Sequence, residues 1–179
     1  MNLSKLSLLR VIFALLALIC MITIFCFSRE DSDQSSETSG EVTETVVEIT
    51  VKVYKAKTPK EQESIKDKFT FYVRKCAHFT LYMCLGFFVS LTVGRRRLFT
   101  IGSAGVIIFC FFYAVSDEIH QSFVPGRSCE FRDMMIDTSG ALTGMLISML
   151  LMLVTAALIR YRRNRLSDAE TIHTEDRRS

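Results

Sequence analysis

Residues Ser116–Met145 read SDEIHQSFVPGRSCEFRDMMIDTSGALTGM, a dense run of ionisable side chains between two apolar stretches. A charged side chain at the centre of a membrane helix costs roughly 2.5–3.5 kcal/mol on insertion scales. If the flanking stretches cross a bilayer, Asp117, Glu118, His120, Arg127, Asp133 and Asp137 need partners or a ligand. The chain carries four apolar blocks: Val11–Phe27 (17 residues), Cys76–Val93 (18), Leu98–Val115 (18) and Thr138–Ile159 (22). About 20 residues span a bilayer. With 49% hydrophobic residues in 179 and no Trp, the apolar side chains are too concentrated for an ordinary soluble domain. The prediction is an all-α polytopic membrane protein, with four transmembrane helices and one long extracytoplasmic loop after the first. Lys75 and His78 dilute the second block, and Gly102, Ser103 and Gly105 the third, so a re-entrant segment in place of one crossing stays open.

Outward from these blocks the chain divides into an N-terminal membrane anchor (1–27), a loop (28–72), a three-helix membrane core (73–159) and a basic, charged tail (160–179). Lys5 and Arg10 before the first block give it the look of a secretion signal. Phe25, Cys26 and Phe27 stand where a cleavage site needs small residues, and Ile19 before Cys20 argues against lipoprotein processing, so an uncleaved anchor is expected. In the loop, Ser28–Gly40 is Ser- and acid-rich and is expected to be flexible. Val47, Ile49, Val51 and Val53 alternate with polar residues or Tyr54, a period-two pattern of one short strand or a merely extended segment. Thr58-Pro59-Lys60-Glu61 supplies a capping box with proline at the first helical position. A helix starting there can run through Ile65 and Phe69 into the second block. His173 and the tail around it are expected to be disordered.

Arg95–Arg97, the arginines at 160, 162, 163 and 165, and Lys5 with Arg10 all fall on one side of four crossings. Basic residues near helix ends favour the cytoplasm, which places both termini there and the Ser116–Asp137 segment outside. The first loop is also basic in places, at Lys66 and Lys68, but acidic residues accompany them and long loops cross largely regardless of charge.

At about 100° per residue, Lys75, His78 and Tyr82 share one face of a helix. Asp117, His120 and Gln121 share another, with Glu118 about 100° away. Asp133, Asp137, Gly140 and Gly144 form a stripe on the last helix, and two glycines four apart allow a neighbouring helix to approach closely. That approach would set Asp137 against the neighbour's polar face. Val124-Pro125-Gly126-Arg127 is a turn signature that would fold Arg127 back toward the carboxylates. The expected site comprises Lys75, His78, Asp117, Glu118, His120, Gln121, Arg127, Asp133 and Asp137.

Three readings of these residues compete. Arg127 can grip phosphate or carboxylate bidentately, with Lys75 as a second charge. His78, His120, Asp117 and Glu118 include candidates for a general base and its orienting partner, and the same donor types suit zinc. Alternatively Asp117, Asp133 and Asp137 pair with Lys75, Arg127 and Arg132 only to hold helices together. Glu118 and Glu130 are expected to be solvated, and Tyr82 and Tyr113 to serve packing. No nucleophile elbow or His-Glu-x-x-His is present. Nothing signals a nucleotide or redox cofactor, and no metal is assigned. The arginines at 160–165 suit anionic lipid rather than nucleic acid. Five of the six cysteines lie in or beside apolar helices, so there is no disulfide framework, and a Cys76–Cys129 pairing stays open.

The ordered series Lys75-x-x-His78-Phe79-x-x-Tyr82-x-x-x-Gly86, then Asp117-Glu118-x-His120-Gln121-x-Phe123-Val124-Pro125-Gly126-Arg127, then Asp133, Asp137, Gly140 and Gly144, resembles the VanZ-like membrane proteins. The resemblance covers roughly Arg74–Leu151, with Phe27-Ser28 as a weaker feature. The chain departs from the pattern in having Arg74 where an acidic residue precedes the lysine, and in its longer loop. The resemblance implies a multi-pass protein of the bacterial plasma membrane and a link to resistance to the glycopeptide teicoplanin. It suggests an outward site that binds a lipid or cell-envelope headgroup. The partners expected are membrane lipids, a lipid-linked envelope precursor or the glycopeptide itself, and a homo-oligomer that would add walls to a four-helix cavity. The alternative is an intramembrane hydrolase or transferase acting on a lipid or envelope precursor.

Overall fold

A computed structural model describes residues 3–29, 40, 42–49, 57–94, 98, 100–125, 127 and 129–176. The arginines Arg95–Arg97, most of the stretch after Ser28 expected to be flexible, the Thr50–Val53 part of the alternating pattern, and Gly126 lie outside the described residues. Five helices follow in order: α1 (Leu3–Ser28), α2 (residues 42–49), α3 (Pro59–Val93), α4 (Ile101–Gln121) and α5 (Phe131–Asp176). Among the described residues there is no strand. α1, α3, α4 and α5 are each long and apolar enough to cross a membrane, so no re-entrant segment is needed. Only 17–33% of each apolar window is buried inside the protein. Leu8, Leu15, Ile19, Phe112, Leu150 and Leu158 are among many large apolar side chains left on the outside. Lipid, not water, suits such a surface.

The sequence pattern places the helix ends. Thr58 N–H and Oγ1 donate to the Glu61 carboxylate at 3.0 and 2.8 Å, and Pro59 opens the helix. α3 then runs 35 residues without a break, about 52 Å at 1.5 Å per residue, well beyond a hydrocarbon core of about 30 Å. It stops at Gly94, whose φ of +85° and ψ of −166° lie in a region essentially reserved for glycine. Gly94→Ala is therefore expected to destabilise the fold by about 1–3 kcal/mol, read as a lower melting temperature in detergent. α5 continues to Asp176, so the tail expected to be disordered is helical. After Gly144 the chain contains neither Gly nor Pro, and nothing in its composition ends the helix earlier.

The alternating valines do not make a strand where they are described. Residues 42–49 are helical, burying Thr43 and Val47 at 0% and 1% exposure while Ile49 stays 77% exposed. Thr43 and Val47, four apart, face the protruding start of α3, where the Thr70 hydroxyl meets that of Thr43 at 3.4 Å. A lone strand has no partner for its backbone, whereas a helix satisfies its own, so packing overrides the β propensity of valine. Lys66 adds an ion pair to Glu44 at 2.8 Å and holds that carboxyl below its usual range.

Membrane helices consecutive in the chain run antiparallel, so α1 is parallel to α4 and α3 is parallel to α5. Tyr113 of α4 donates to the Met21 carbonyl of α1 at 2.6 Å, and the Arg10 guanidinium lies against Gly94. The start of α1, the end of α3 and the tail of α5 therefore share one end of the bundle. Ala17, Ile24, Tyr82, Leu85, Val106, Cys110, Ala114, Ala141, Met145 and Met149 form the apolar core. Tyr82 and Tyr113 take the packing positions expected of them. α3 packs most extensively on α5. Along that seam a Cβ on Gly86, Gly140 or Gly144 would fall inside 3.0 Å of the backbone of Ala141, Phe79 or Met83 respectively. Small residues thus bring two backbones together, and Ser148 donates to Ser90 at the buried floor of the contact. All six cysteines are free in this structure, with Cys76 and Cys129 both exposed.

Candidate functional site

At the end of the bundle opposite the chain termini, the close α3–α5 approach forces polar faces together. Lys75 of α3 forms an ion pair with Asp133 of α5. One turn deeper, His78 Nδ1 stands 3.9 Å from Asp137 Oδ2. This is the juxtaposition that the Gly140–Gly144 spacing predicts. α4 contributes Asp117, Glu118 and Gln121, all buried. Gln121 works as a hub: its Nε2 donates to Asp117 Oδ2 at 2.9 Å and to Ser28 Oγ at 3.3 Å, and its Oε1 accepts from Arg127 Nη1 at 3.0 Å. Arg127 returns to the cluster through a turn in which its N–H donates to the Val124 carbonyl at 3.2 Å.

Several expectations change. Glu118, expected in solvent, is 1% exposed, and its Oε2 accepts the Glu130 N–H at 3.0 Å. The Glu130 carbonyl accepts the first backbone donors of α5, so Glu118 ties the end of α4 to the start of α5. Its 100° offset from Asp117 aims it at the incoming chain, a partner that helix periodicity does not reveal. Arg132, expected to join the aspartates, pairs instead with Glu130 at 3.2 Å and remains largely exposed. It and Lys75 flank the Phe71 ring, at 5.5 and 5.3 Å from its centroid. His120 shares the buried half of α4 but stacks on Phe25 of α1 at 4.6 Å, apart from His78. Sequence reasoning missed Arg74, which lines the cavity, and Ser28, which reaches Gln121. Phe27-Ser28 in the resemblance was the only hint of the latter.

Exposure grades across the cluster. Arg74, Lys75 and Arg127 are half-buried at its mouth, whereas Asp117, Glu118 and Asp137 are 4%, 1% and 2% exposed at its floor. The cavity between Arg74, Lys75, His78, Glu118, Gln121, Asp133 and Asp137 is about 10 Å³, the room of a single water molecule or ion. Asp137 Oδ2 and the Tyr82 hydroxyl are buried without a hydrogen-bond partner. Donor atoms of His78, Asp117 and Asp137, one residue from each of three helices, lie within 4.8 Å of one another. This arrangement can take an anionic group at its cationic mouth and a proton, a water or a cation at its acidic floor.

The model of the VanZ/LLP1 family matches residues 13–153. No curated protein and no solved structure matches.

Proposed function

The chain belongs to the VanZ/LLP1 family, which is associated with teicoplanin resistance, and on that footing we propose that it binds an anionic headgroup of a membrane or envelope lipid at the mouth of its polar cluster. The observation that carries the reading is the ring of half-buried cations, Arg74, Lys75 and Arg127, at one end of a bundle whose sides are otherwise apolar. Phosphate or carboxylate meets such donors in short, charge-assisted hydrogen bonds. The cavity is too small to admit a headgroup, so binding occurs at the rim. Lys75 would exchange Asp133 for the ligand, and the Gln121–Arg127 hydrogen bond would hold the guanidinium in position. The positive-inside distribution supports a rim at the outer face of the membrane with both termini cytoplasmic, and the family resemblance supports a bacterial plasma membrane. There it would meet the lipid-linked precursors on which glycopeptides act.

Native mass spectrometry of the detergent-purified protein tests this directly. Wild type is expected to retain an anionic lipid or precursor, and Arg127→Ala, while still folded, to lose about tenfold or more of it, since a charged hydrogen bond contributes about 1.5–3 kcal/mol. Equal retention by an equally folded variant would remove the main support. The catalytic alternative draws on His78 beside Asp137, because acid–base pairs are often loose before substrate arrives. Turnover of a lipid-linked precursor by the purified protein, abolished in His78→Ala, would put hydrolysis or transfer in place of binding.

A further inference from the structure

We propose that the floor of the cluster is a site for one divalent transition-metal ion of the zinc class, held by His78, Asp117 and Asp137. The argument starts from a distance. His78 Nδ1 and Asp137 Oδ2 are 3.9 Å apart, too far for a hydrogen bond. Zinc binds imidazole nitrogen at about 2.0–2.1 Å and carboxylate oxygen at about 2.0–2.2 Å, so two donors on one tetrahedral ion stand about 3.3–3.5 Å apart, and the two side chains would close by about half an ångström on binding it. Asp117 completes a set of three donors within 4.8 Å.

Two independent features point to a ligand there. Asp137 Oδ2 is buried, faces His78 and has no hydrogen-bond partner among the described residues. The Tyr82 hydroxyl, one turn below His78 and fully buried, is likewise without one and lies within electrostatic reach of Asp117 and Asp137. Buried polar atoms are seldom left unpaired in a finished site. The small cavity beside them, lined by His78 and Asp137, has room for an ion and little else.

Charge and chemistry favour the same occupant. Lys75 balances Asp133, and Glu118 is occupied by a backbone N–H. Asp117 and Asp137 bring two further carboxylates to the floor, and one divalent cation would neutralise both with a neutral imidazole as third ligand. A nitrogen donor beside two carboxylates suits zinc better than magnesium, which prefers an octahedron of oxygens. Gln121 orients Asp117 from outside the donor set, as supporting groups do around metal ligands. Three protein ligands would leave a fourth position for water, as at other zinc sites with three protein ligands. Because the donors come from α3, α4 and α5, the ion would lock the three helices together. The floor donors are different side chains from the rim cations, so this site stands or falls separately from headgroup binding.

The test uses the full chain, purified in detergent through a peptide tag without immobilised metal. Elemental analysis is expected to find about one zinc-class ion per chain in wild type, and at least about tenfold less in His78→Gln and Asp137→Asn. Gly105→Ala, in the half of α4 away from the cluster with nothing within 4 Å of the added Cβ, should keep its metal. Wild type stripped with chelator should melt at lower temperature and recover when zinc is restored. Cobalt(II) added to the stripped protein should give a visible absorption band that His78→Gln lacks. The wild-type measurements need no variant to fold. Metal far below one per chain, with no melting response to chelator or zinc and no cobalt band, would overturn the proposal. So would the same metal content and cobalt band in well-folded His78→Gln.

Discussion

Gly144→Leu is expected to yield no folded, monodisperse protein in detergent. A Cβ at this position would overlap the Met83 carbonyl oxygen, with the Phe87 amide nitrogen also inside 3.0 Å. Overpacking usually costs about 1–3 kcal/mol when neighbouring side chains can shift. Here the obstacle is the backbone of another helix, so α3 and α5 must separate, and the cost should exceed about 3 kcal/mol. Separation would also pull Gly86 from Ala141, Ser148 from Ser90, and Asp137 from His78. Gly105→Ala is the control: nothing lies within 4 Å of its added Cβ, and removing a glycine from a helix gains up to about 1 kcal/mol. Size-exclusion profiles and thermal unfolding of the two variants would decide. A Gly144→Leu protein that elutes and melts like wild type would mean that the α3–α5 seam is not as close as described.

Lys75→Met should be the most damaging single change among the charged residues. It leaves Asp133, only 12% exposed at its side chain, without its cation, and Asp133 Oδ1 already lacks a partner. Breaking a buried ion pair from one side costs about 3–5 kcal/mol; some residual exposure of both side chains puts the expectation near 3. The double variant Lys75→Met/Asp133→Leu removes both charges and should return to within about 1 kcal/mol of wild type, because an apolar pair of similar size avoids desolvating either ion. A double-mutant cycle by chemical or thermal unfolding in detergent measures the difference. Additive losses would show that the two residues do not act as a pair. The folded double variant also separates architecture from recognition: lacking one rim cation, it should bind less anionic lipid although its helices are intact.

Much of the fold is legible because a membrane imposes simple rules. The apolar blocks match α1, α3, α4 and α5, and the Thr58–Glu61 box marks the start of α3 as the capping chemistry requires. Lys75, His78 and Tyr82 face the cluster together because a 3.6-residue period puts them there. Periodicity assigns a face but not the partner that covers it. Glu118 looked solvated until the start of α5 came to lie against it. His120 shared a face with Asp117, yet the nearby α1 offered its Phe25 ring instead. The valines after residue 46 had the right pattern for a strand and no strand to pair with.

From its sequence alone this protein is a four-span helical membrane protein of the VanZ-like type with polar faces gathered near one end. Hydrophobic length, capping and helical period are local properties, and they suffice for that much. Tertiary structure decided which donors meet: Lys75 with Asp133, Gln121 between Asp117 and Arg127, and His78 with Asp117 and Asp137, whose donor atoms lie within 4.8 Å of one another. Those distances depend on how closely α3 and α5 approach across Gly86, Gly140 and Gly144 and on where α4 leans against them. An approach set by contacts between residues some 58 positions apart is not written in the spacing within any one helix.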